Sequence, residues 1–384
     1  MRRRVFFYVQ HLLGVGHVFR AARIARGLKD AGFEIDLVMG GVPVKGLDTA
    51  GFRVIQLPPL KAGPEGFSSL VTPTGEPADA DIKARRTNEL LAAFERSRPD
   101  VVLIEAFPFG RRQMRFELIP LLEAAHQSRR RPHIVSSVRD ILQESSRPDR
   151  ARETVAILSR YFDHVLVHGD PRMVTFDETF PLAKEIGPIV SYTGLVTPPF
   201  PDTGRLPNPA SADVVVSAGG GVVGRRLLET AVAAKPMTRL ASARWLVVAG
   251  PNAGGDWLDG IAASGNGAGL AVKRFVPDLA SVLAGAKLSI SQAGYNTVAD
   301  ILVAKCKAVL VPFAQGGETE QTRRAALLEK HGLAVVLDEQ KLSADAMAAA
   351  VDYALGRRLP DLALDLNGAR RTAACLLRLL TNTC

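Results

Sequence analysis

At 384 residues, 47% of them hydrophobic and 23% charged, the chain exceeds what one growing core sustains and can bury two, so two domains of roughly 150 to 200 residues are expected. The formal net charge of +9 suits an anionic nucleotide, an acidic membrane surface or nucleic acid. With only 6% aromatics, and basic residues not interleaved with them, a nucleic-acid reader is disfavoured. No apolar run reaches the roughly 20 residues of a membrane span, and Met1-Arg-Arg-Arg4 runs directly into an apolar strand without a signal-peptide core, so the chain reads as cytosolic. Cys306, Cys375 and Cys384 have neither disulfide nor metal-ligand spacing.

In the first half, short runs rich in Val, Ile and Leu predict strands from Arg4 to Gln10, Glu34 to Gly40, Arg53 to Leu57, Val101 to Ile104, His133 to Ser137 and His164 to His168. Between them the apolar spacing predicts helices from Val18 to Ala31, Asn88 to Arg96, Arg115 to Ser128 and Asp149 to Phe162. Such alternation is the pattern of a parallel sheet covered on both faces. The segment from Leu57 to Ala80, with five prolines and three glycines, reads as a loop too long for a simple connection and mobile over a ligand.

Thr197-Pro-Pro-Phe-Pro201 and Leu206-Pro-Asn-Pro-Ala210 form an extended connector, because proline continues neither helix nor central strand. The pattern then restarts with predicted strands from Asp213 to Ser217, Arg244 to Ala249, Gly269 to Arg274, Leu288 to Ser291, Ala308 to Val311 and Ala334 to Leu337. The expected division is a first domain over 1–200, a second over 201–365, and a final helix over 366–384 that crosses back onto the first domain. Ligands of doubly wound folds bind at the carboxyl ends of the strands, so two such domains facing across a cleft can hold a nucleotide on one side and an acceptor on the other.

Several strand-to-helix turns carry candidate chemistry. Gly14-Val15-Gly16-His17 follows the opening strand, and its glycines let the backbone approach a ligand. Tight packing explains a glycine pair equally well. His17, on the first helical turn, is a candidate general base, and a helix N-terminus favours its neutral form. Arg20 is a candidate ligand for acceptor or phosphate charge, or else a solvated helix arginine. Glu105 and Asp140, just past strand ends, are candidate acid/base or orienting carboxylates; pairing with Arg139, Arg111 or Arg112 is the plainer reading. Ser128-Arg-Arg-Arg131 reads as a solvated helix end, with contact to anionic lipid the lesser reading.

In the second half, Gly219, Gly220, Gly221 and Gly224 put four glycines in six residues at a strand-to-helix junction, more than packing requires, and their amides can form an anion-binding concavity. Arg225 can neutralise phosphate there or lie on the helix surface. The turn Gln292-Ala293-Gly294 precedes a helix expected to open at about Asn296, aiming its unpaired N–H groups and positive dipole end at a phosphate. Asp300 is placed on the first helical coil, where it can accept from ribose hydroxyls. Gly316 and Gly317 lie in a polar turn before Glu320 and Gln321, which either complement a helix dipole or hold sugar hydroxyls.

With these residues placed, the chain resembles the GT-B glycosyltransferases of the kind that includes the N-acetylglucosaminyltransferase of peptidoglycan synthesis. The likeness rests on Phe275-Val276-Pro277-Asp278-Leu279, on Ala293-Gly294-Tyr295-Asn296-Thr297-Val298-Ala299-Asp300, on Pro312-Phe313 with Glu320-Gln321, and on Gly16-His17. It is strong over about residues 213–340 and thinner before them. The resemblance implies two Rossmann-like domains, the first for acceptor binding and the second for nucleotide-sugar binding, a Val276 backbone that pairs with the base edge, Asp300 on the ribose, and the helix opening at Gly294 toward the phosphates. Asp300 stands where the family has glutamate, Glu320 replaces its first glutamine, and the amino-terminal loop carries fewer glycines. The Gly-x-Gly-His-Val-x-Arg run is also similar to the UDP-sugar hydrolase of pseudaminic acid synthesis, in which the histidine serves water.

The expectation is an inverting, metal-independent transferase acting on a nucleotide-diphosphate sugar, with UDP as the nucleotide, a small-molecule, glycan or lipid-linked acceptor, no further cofactor and no nucleic-acid partner. A nucleotide-sugar hydrolase and a non-catalytic sugar-nucleotide binder are the alternatives. Peripheral contact with the inner membrane face accompanies the lipid-linked case.

Overall fold

The computed structural model describes residues 3–63, 66–143, 149–200, 212–219, 224–250, 253–264 and 269–381. The chain divides into two compact units, Met1–Val196 with Leu364–Cys384, and Thr197–Ala363.

The first unit contains β1 (Arg3–Val9), α1 (Gly16–Asp30), β2 (Phe33–Met39), β3 (Arg53–Gln56), β4 (Lys61–Gly63), β5 (Gly66–Val71), α2 (Ala80–Ser97), β6 (Val101–Glu105), α3 (Arg115–Gln127), β7 (His133–Arg139), α4 (Asp149–Tyr161), β8 (His164–His168) and β9 (Val190–Tyr192). Its parallel sheet has seven strands in the order β3-β2-β1-β6-β7-β8-β9. Val5, Phe6, Phe7, Tyr8 and Val9 are all buried, as a central strand covered on both faces requires. Each such large apolar side chain contributes about 1.5–3 kcal/mol by leaving water. Phe6 meets Phe94 of α2 edge-on at 5.9 Å.

The stretch from Leu57 to Ala80 departs from the predicted loop. β4 and β5 pair as an antiparallel hairpin, and Leu57, Leu60 and Val71 are buried. α2 begins at Ala80, ahead of the predicted Asn88, because the Asp79 carboxylate accepts from the Ile82 N–H at 2.8 Å and caps it. The last helix, α11 (Gly368–Thr381), belongs to the first unit and packs on α1. Glycine permits that approach: a Cβ at Gly27 would lie 2.9 Å from the Ala369 carbonyl carbon.

The second unit contains β10 (Val214–Ser217), α5 (Arg225–Ala234), β11 (Trp245–Val248), α6 (Gly255–Ser264), β12 (Leu270–Lys273), α7 (Leu279–Ala284), β13 (Leu288–Ser291), α8 (Tyr295–Ala304), β14 (Ala308–Leu310), α9 (Glu320–Lys330), β15 (Val335–Val336) and α10 (Ala344–Gly356). Six parallel strands run β12-β11-β10-β13-β14-β15. Val214, Val216, Leu288, Ile290, Val309 and Trp245 fill the core between sheet and helices.

Both sheets are doubly wound. The strand order reverses between β1 and β6 in the first and between β10 and β13 in the second. At such a switch point the loops leaving adjacent strand ends part to opposite faces and open a crevice, which is where ligands of this fold class bind.

Candidate active site

At the switch point of the first sheet, the turn after β1 leads into α1, whose second residue is His17, while β6 ends on Glu105. Nδ1 of His17 lies 3.0 Å from Oε1 of Glu105. Arg20, one helical turn beyond His17, pairs with the same oxygen, and Ser137 of β7 donates to Oε2 at 2.6 Å. Glu105 is wholly buried, whereas the His17 side chain keeps 15% exposure, so only the imidazole remains reachable.

Burial alone would raise the Glu105 pKa, but the charge of Arg20 and the hydrogen bonds from His17 and Ser137 outweigh it and hold the carboxyl well below its ordinary range. A carboxylate only accepts hydrogen bonds, and at 3.0 Å it lies closer to Nδ1 than does Nη2 of Arg20, a pure donor at 3.3 Å, so His17 carries its proton on Nδ1 and presents a lone pair on Nε2. Burial, followed by the charge of Arg111, pushes His17 well below its ordinary 6.5 despite Glu105. The ring is therefore neutral at physiological pH, as a base must be. Nε of Arg111 donates to the Gln10 carbonyl at 2.7 Å, and burial brings the Arg111 pKa down to about 10.

In the second unit, α8 opens at Tyr295 behind Gly294, with neither a side-chain cap nor an acidic residue in its first turn. The same holds for α5 behind Gly224. Helix N-termini of this kind retain N–H donors and a positive dipole end for an anion. The two turns meet at the switch point: a Cβ at Gly219, where φ is +70°, would lie 3.7 Å from Oγ1 of Thr297, and one at Gly224 would lie 3.4 Å from Nε2 of Gln292. Gln321 fastens the β13–α8 turn to the loop after β14, its Oε1 accepting from the Ala293 N–H at 3.1 Å and the Phe313 N–H at 3.2 Å. Arg324 donates to the Ala293 carbonyl at 3.2 Å and lies over the Tyr295 ring.

Several predicted ligands are placed otherwise. Arg20 is buried and paired with Glu105, neither on a solvated helix face nor open to a ligand. Glu105 is too acidic to hold a proton for exchange near neutrality. Glu320 is buried in an ion pair with Arg324 at 2.8 Å, so its carboxylate is not open to a sugar. Arg225 lies along the α5 surface, paired with Glu229 at 2.9 Å and stacked on Trp257. Asp300 falls in the second turn of α8 and is buried, one turn deeper than predicted. Asp140 is buried, with Oδ1 accepting from the Ile141 N–H at 2.8 Å.

Gly14 has open space where a side chain would stand, and Gly16 is the first residue of α1. Phe275 is exposed, Val276 and Asn296 half-buried, and Gly317, at the end of the turn with Gly316, takes φ +77°. Gly220 and Gly221 lie outside the described residues. Arg130 and Arg131 pair with Asp100 and Asp163 at 2.5 and 2.8 Å, the solvated-face reading of that basic stretch. Among the described residues no group of three or more His, Cys, Asp or Glu could hold a metal ion, and no helix is long and apolar enough to cross a membrane.

Sequence reading passed over Ser137, His168 and Arg324, and weighed Arg111 only as a partner for a carboxylate. A signal existed for the first two, each a polar residue near the end of a Val/Ile/Leu-rich strand. Ser137 stands directly across from Glu105 in the β6–β7 register.

Residues 211–360 match the glycosyltransferase family 28 C-terminal domain. The chain is 38% identical over 85 residues to the UDP-N-acetylglucosamine--N-acetylmuramyl-(pentapeptide) pyrophosphoryl-undecaprenol N-acetylglucosamine transferase of Chelativorans sp. (strain BNC1), a stretch covering 22% of this chain and 23% of that protein. It is 31% identical over 124 residues to the protein of the same name from Cupriavidus metallidurans, covering 32% of this chain and 35% of the relative. The matched stretches thus span roughly a quarter to a third of these relatives' length. Among solved structures, the calicheamicin glycosyltransferase CalG4 superposes with a TM-score of 0.60 at 18% identity, covering 100% of this chain and 95% of that one. MurG of Acinetobacter baumannii gives 0.59 at 16% identity, covering 99% of each chain. The spinosyn rhamnosyltransferase SpnG complexed with thymidine diphosphate gives 0.59 at 17% identity, covering 99% of this chain and 100% of that one. These likenesses establish the GT-B fold, with its two Rossmann-like parallel-sheet domains.

Proposed function

We propose that the protein is a glycosyltransferase that moves a sugar from a nucleotide-diphosphate donor, with UDP as the nucleotide, to an acceptor hydroxyl. One coincidence carries this reading. The segment that matches the family 28 domain contains both glycine turns at the second sheet's switch point, and both lead into helices whose first amides no side chain caps. A departing diphosphate gathers negative charge as the glycosidic bond breaks, and fixed main-chain donors with aligned helix dipoles stabilise that charge most when it is fully developed. No metal is assigned a part in this scheme. By the family likeness the Val276 backbone takes the base edge; Asp300, which the same likeness would put on the ribose, is buried in the second turn of α8.

In the first unit, Nε2 of His17 takes the proton of the acceptor hydroxyl as its oxygen attacks the anomeric carbon on the side away from the diphosphate. The bond to the phosphate oxygen breaks, its electron pair leaves with the diphosphate, and the sugar is inverted. Glu105 stabilises the imidazolium as it forms, and its hydrogen bond keeps the ring turned so that Nε2 is the basic atom.

A thermal-shift panel of UDP- and dTDP-sugars tests the donor, because a ligand that binds only the folded chain raises its melting point. Turnover is then followed with small-molecule, glycan and lipid-linked acceptors, and His17→Ala is expected to abolish transfer while the donor Kd stays within about twofold. Free sugar released at catalytic rates without acceptor would replace transfer by hydrolysis. Binding without turnover toward any acceptor would make the chain a sensor, and no binding of any nucleotide sugar would end the proposal.

A further inference from the structure

Behind Glu105 a chain of buried hydrogen bonds continues away from His17. Ser137 Oγ lies 2.6 Å from Oε2 of Glu105 and 2.8 Å from Nε2 of His168. His168 Nδ1 lies 2.8 Å from Oγ1 of Thr193. Glu105, Ser137, His168 and Thr193 are all wholly buried. Glu105, Ser137 and His168 stand near the carboxyl ends of β6, β7 and β8 and Thr193 just past β9; the register sets Glu105 beside Ser137 and Arg139 beside His168.

The direction of every bond in this chain follows from its one obligate acceptor. The Ser137 hydroxyl has a single hydrogen, and the carboxylate takes it. Ser137 must then accept from His168, which places the His168 proton on Nε2. A neutral ring in that form offers a lone pair on Nδ1, and Thr193 fills it. Burial, followed by the charge of Arg20, pushes His168 down to about 3, in keeping with a neutral ring. On the other oxygen of Glu105 the same logic places the His17 proton on Nδ1. One carboxylate thereby fixes two histidines in opposite tautomers.

We propose that His168, acting through Ser137, is a positioning residue for His17: their hydrogen-bonded chain locks the Glu105 carboxylate in the rotamer that orients the imidazole and leaves its Nε2 lone pair available. This inference rests on the reading of His17 as the base. Without the hydroxyl of Ser137, Oε2 loses its neighbour on β7, and the carboxylate can turn about its side-chain bonds toward Arg20, loosening its hold on His17. A charged His168 would instead donate at both nitrogens and disturb the chain from its far end.

The experiment is nitrogen-15 NMR of the full-length protein with labelled histidine, the His17 and His168 signals being assigned from His17→Gln and His168→Gln. The expected spectrum shows the proton on Nδ1 for His17 and on Nε2 for His168. The reverse at either ring overturns the proposal whether or not any transfer activity has been found. Ser137→Ala and His168→Leu are expected to give His17 a mixed tautomer population and to lower kcat about tenfold with the donor KM changed less than twofold, the effect of one buried hydrogen bond. His168→Gln, whose amide keeps a donor near the position of Nε2, is expected to restore most of both. An unchanged His17 tautomer and rate in Ser137→Ala and His168→Leu overturns the positioning role. Correct tautomers in a protein that transfers no sugar would instead remove the functional reading beneath it.

Discussion

Oε1 of Glu105 stands 3.0 Å from Nδ1 of His17 and is also the atom to which Arg20 is paired. In the proposed reaction that one buried oxygen supplies both the charge that stabilises the imidazolium and the acceptor that turns the ring. Glu105→Gln keeps the shape and removes the charge. It is expected to lower kcat/KM by roughly 10²–10⁴, as losses of an orienting carboxylate do, with donor affinity held within about twofold in a direct binding titration. A loss confined to KM would show that Glu105 serves binding and not the proton transfer.

The pH dependence follows from the depressed imidazoles. His17 lies well below 6.5, so the acid limb of kcat/KM is expected below that value, with a plateau through neutrality. Glu105 opposes the depression, so Glu105→Gln should move the limb still lower while reducing the plateau. Stability carries the same sign. His168 is held at about 3 in the fold against an ordinary 6.5, so the unfolded chain binds the proton first. Folding free energy is fully present above pH 6.5 and is lost as pH falls toward about 3, by up to about 1.4 kcal/mol per unit for this ring. Urea midpoints of the native protein and His168→Gln between pH 7 and 5 check it; the two should converge in slope only if His168 titrates normally.

Much of this architecture was legible in the chain because parallel strands covered on both faces leave unmistakable apolar runs, such as Val5 to Val9 and Leu288 to Ser291. The turns at residues 14–17 and 292–294 were legible for the same reason, each following such a run. The hairpin at Lys61–Gly63 and Gly66–Val71 was hidden by its prolines, since turn residues announce a break and not what pairs across it. The partners of Arg20, Arg225 and Glu320 were not legible, because a charged residue near the start of a helix looks alike in sequence whether it faces solvent, a phosphate or a buried partner. Only the register, which brings Arg20 and Ser137 onto one carboxylate, separates these cases.

Gln321 accepts from two main-chain amides, of Ala293 and Phe313, and so holds the turn that opens α8. Gln321→Ala leaves both donors without that acceptor, at about 1–3 kcal/mol for each that stays buried. The turn is then expected to relax, weakening donor binding roughly tenfold while kcat at saturating donor changes less than threefold. Gln321→Glu retains an acceptor oxygen and should recover much of the affinity. Calorimetric titration with the donor identified by thermal shift decides this, and an unchanged Kd in Gln321→Ala would detach the turn from donor binding.

Arg86 and Glu117 form a further buried ion pair that no step of the proposed chemistry uses. Nε and Nη2 of Arg86 donate to Oε2 and Oε1 of Glu117 at 2.8 and 2.7 Å, both side chains wholly buried. The same guanidinium donates to the Gly40 carbonyl at 2.8 Å and to the Pro58 carbonyl, tying α2 to the loops that follow β2 and β3. Removing one member leaves an uncompensated charge in the core, so Glu117→Leu is expected to cost about 3–5 kcal/mol in urea unfolding. The double variant Arg86→Met with Glu117→Leu should recover part of that loss, because no charge is then stranded. Recovery must stay incomplete, since the Gly40 and Pro58 carbonyls still lose their donor. Additive losses in the double variant would show that the two residues stabilise the fold independently, contrary to their geometry.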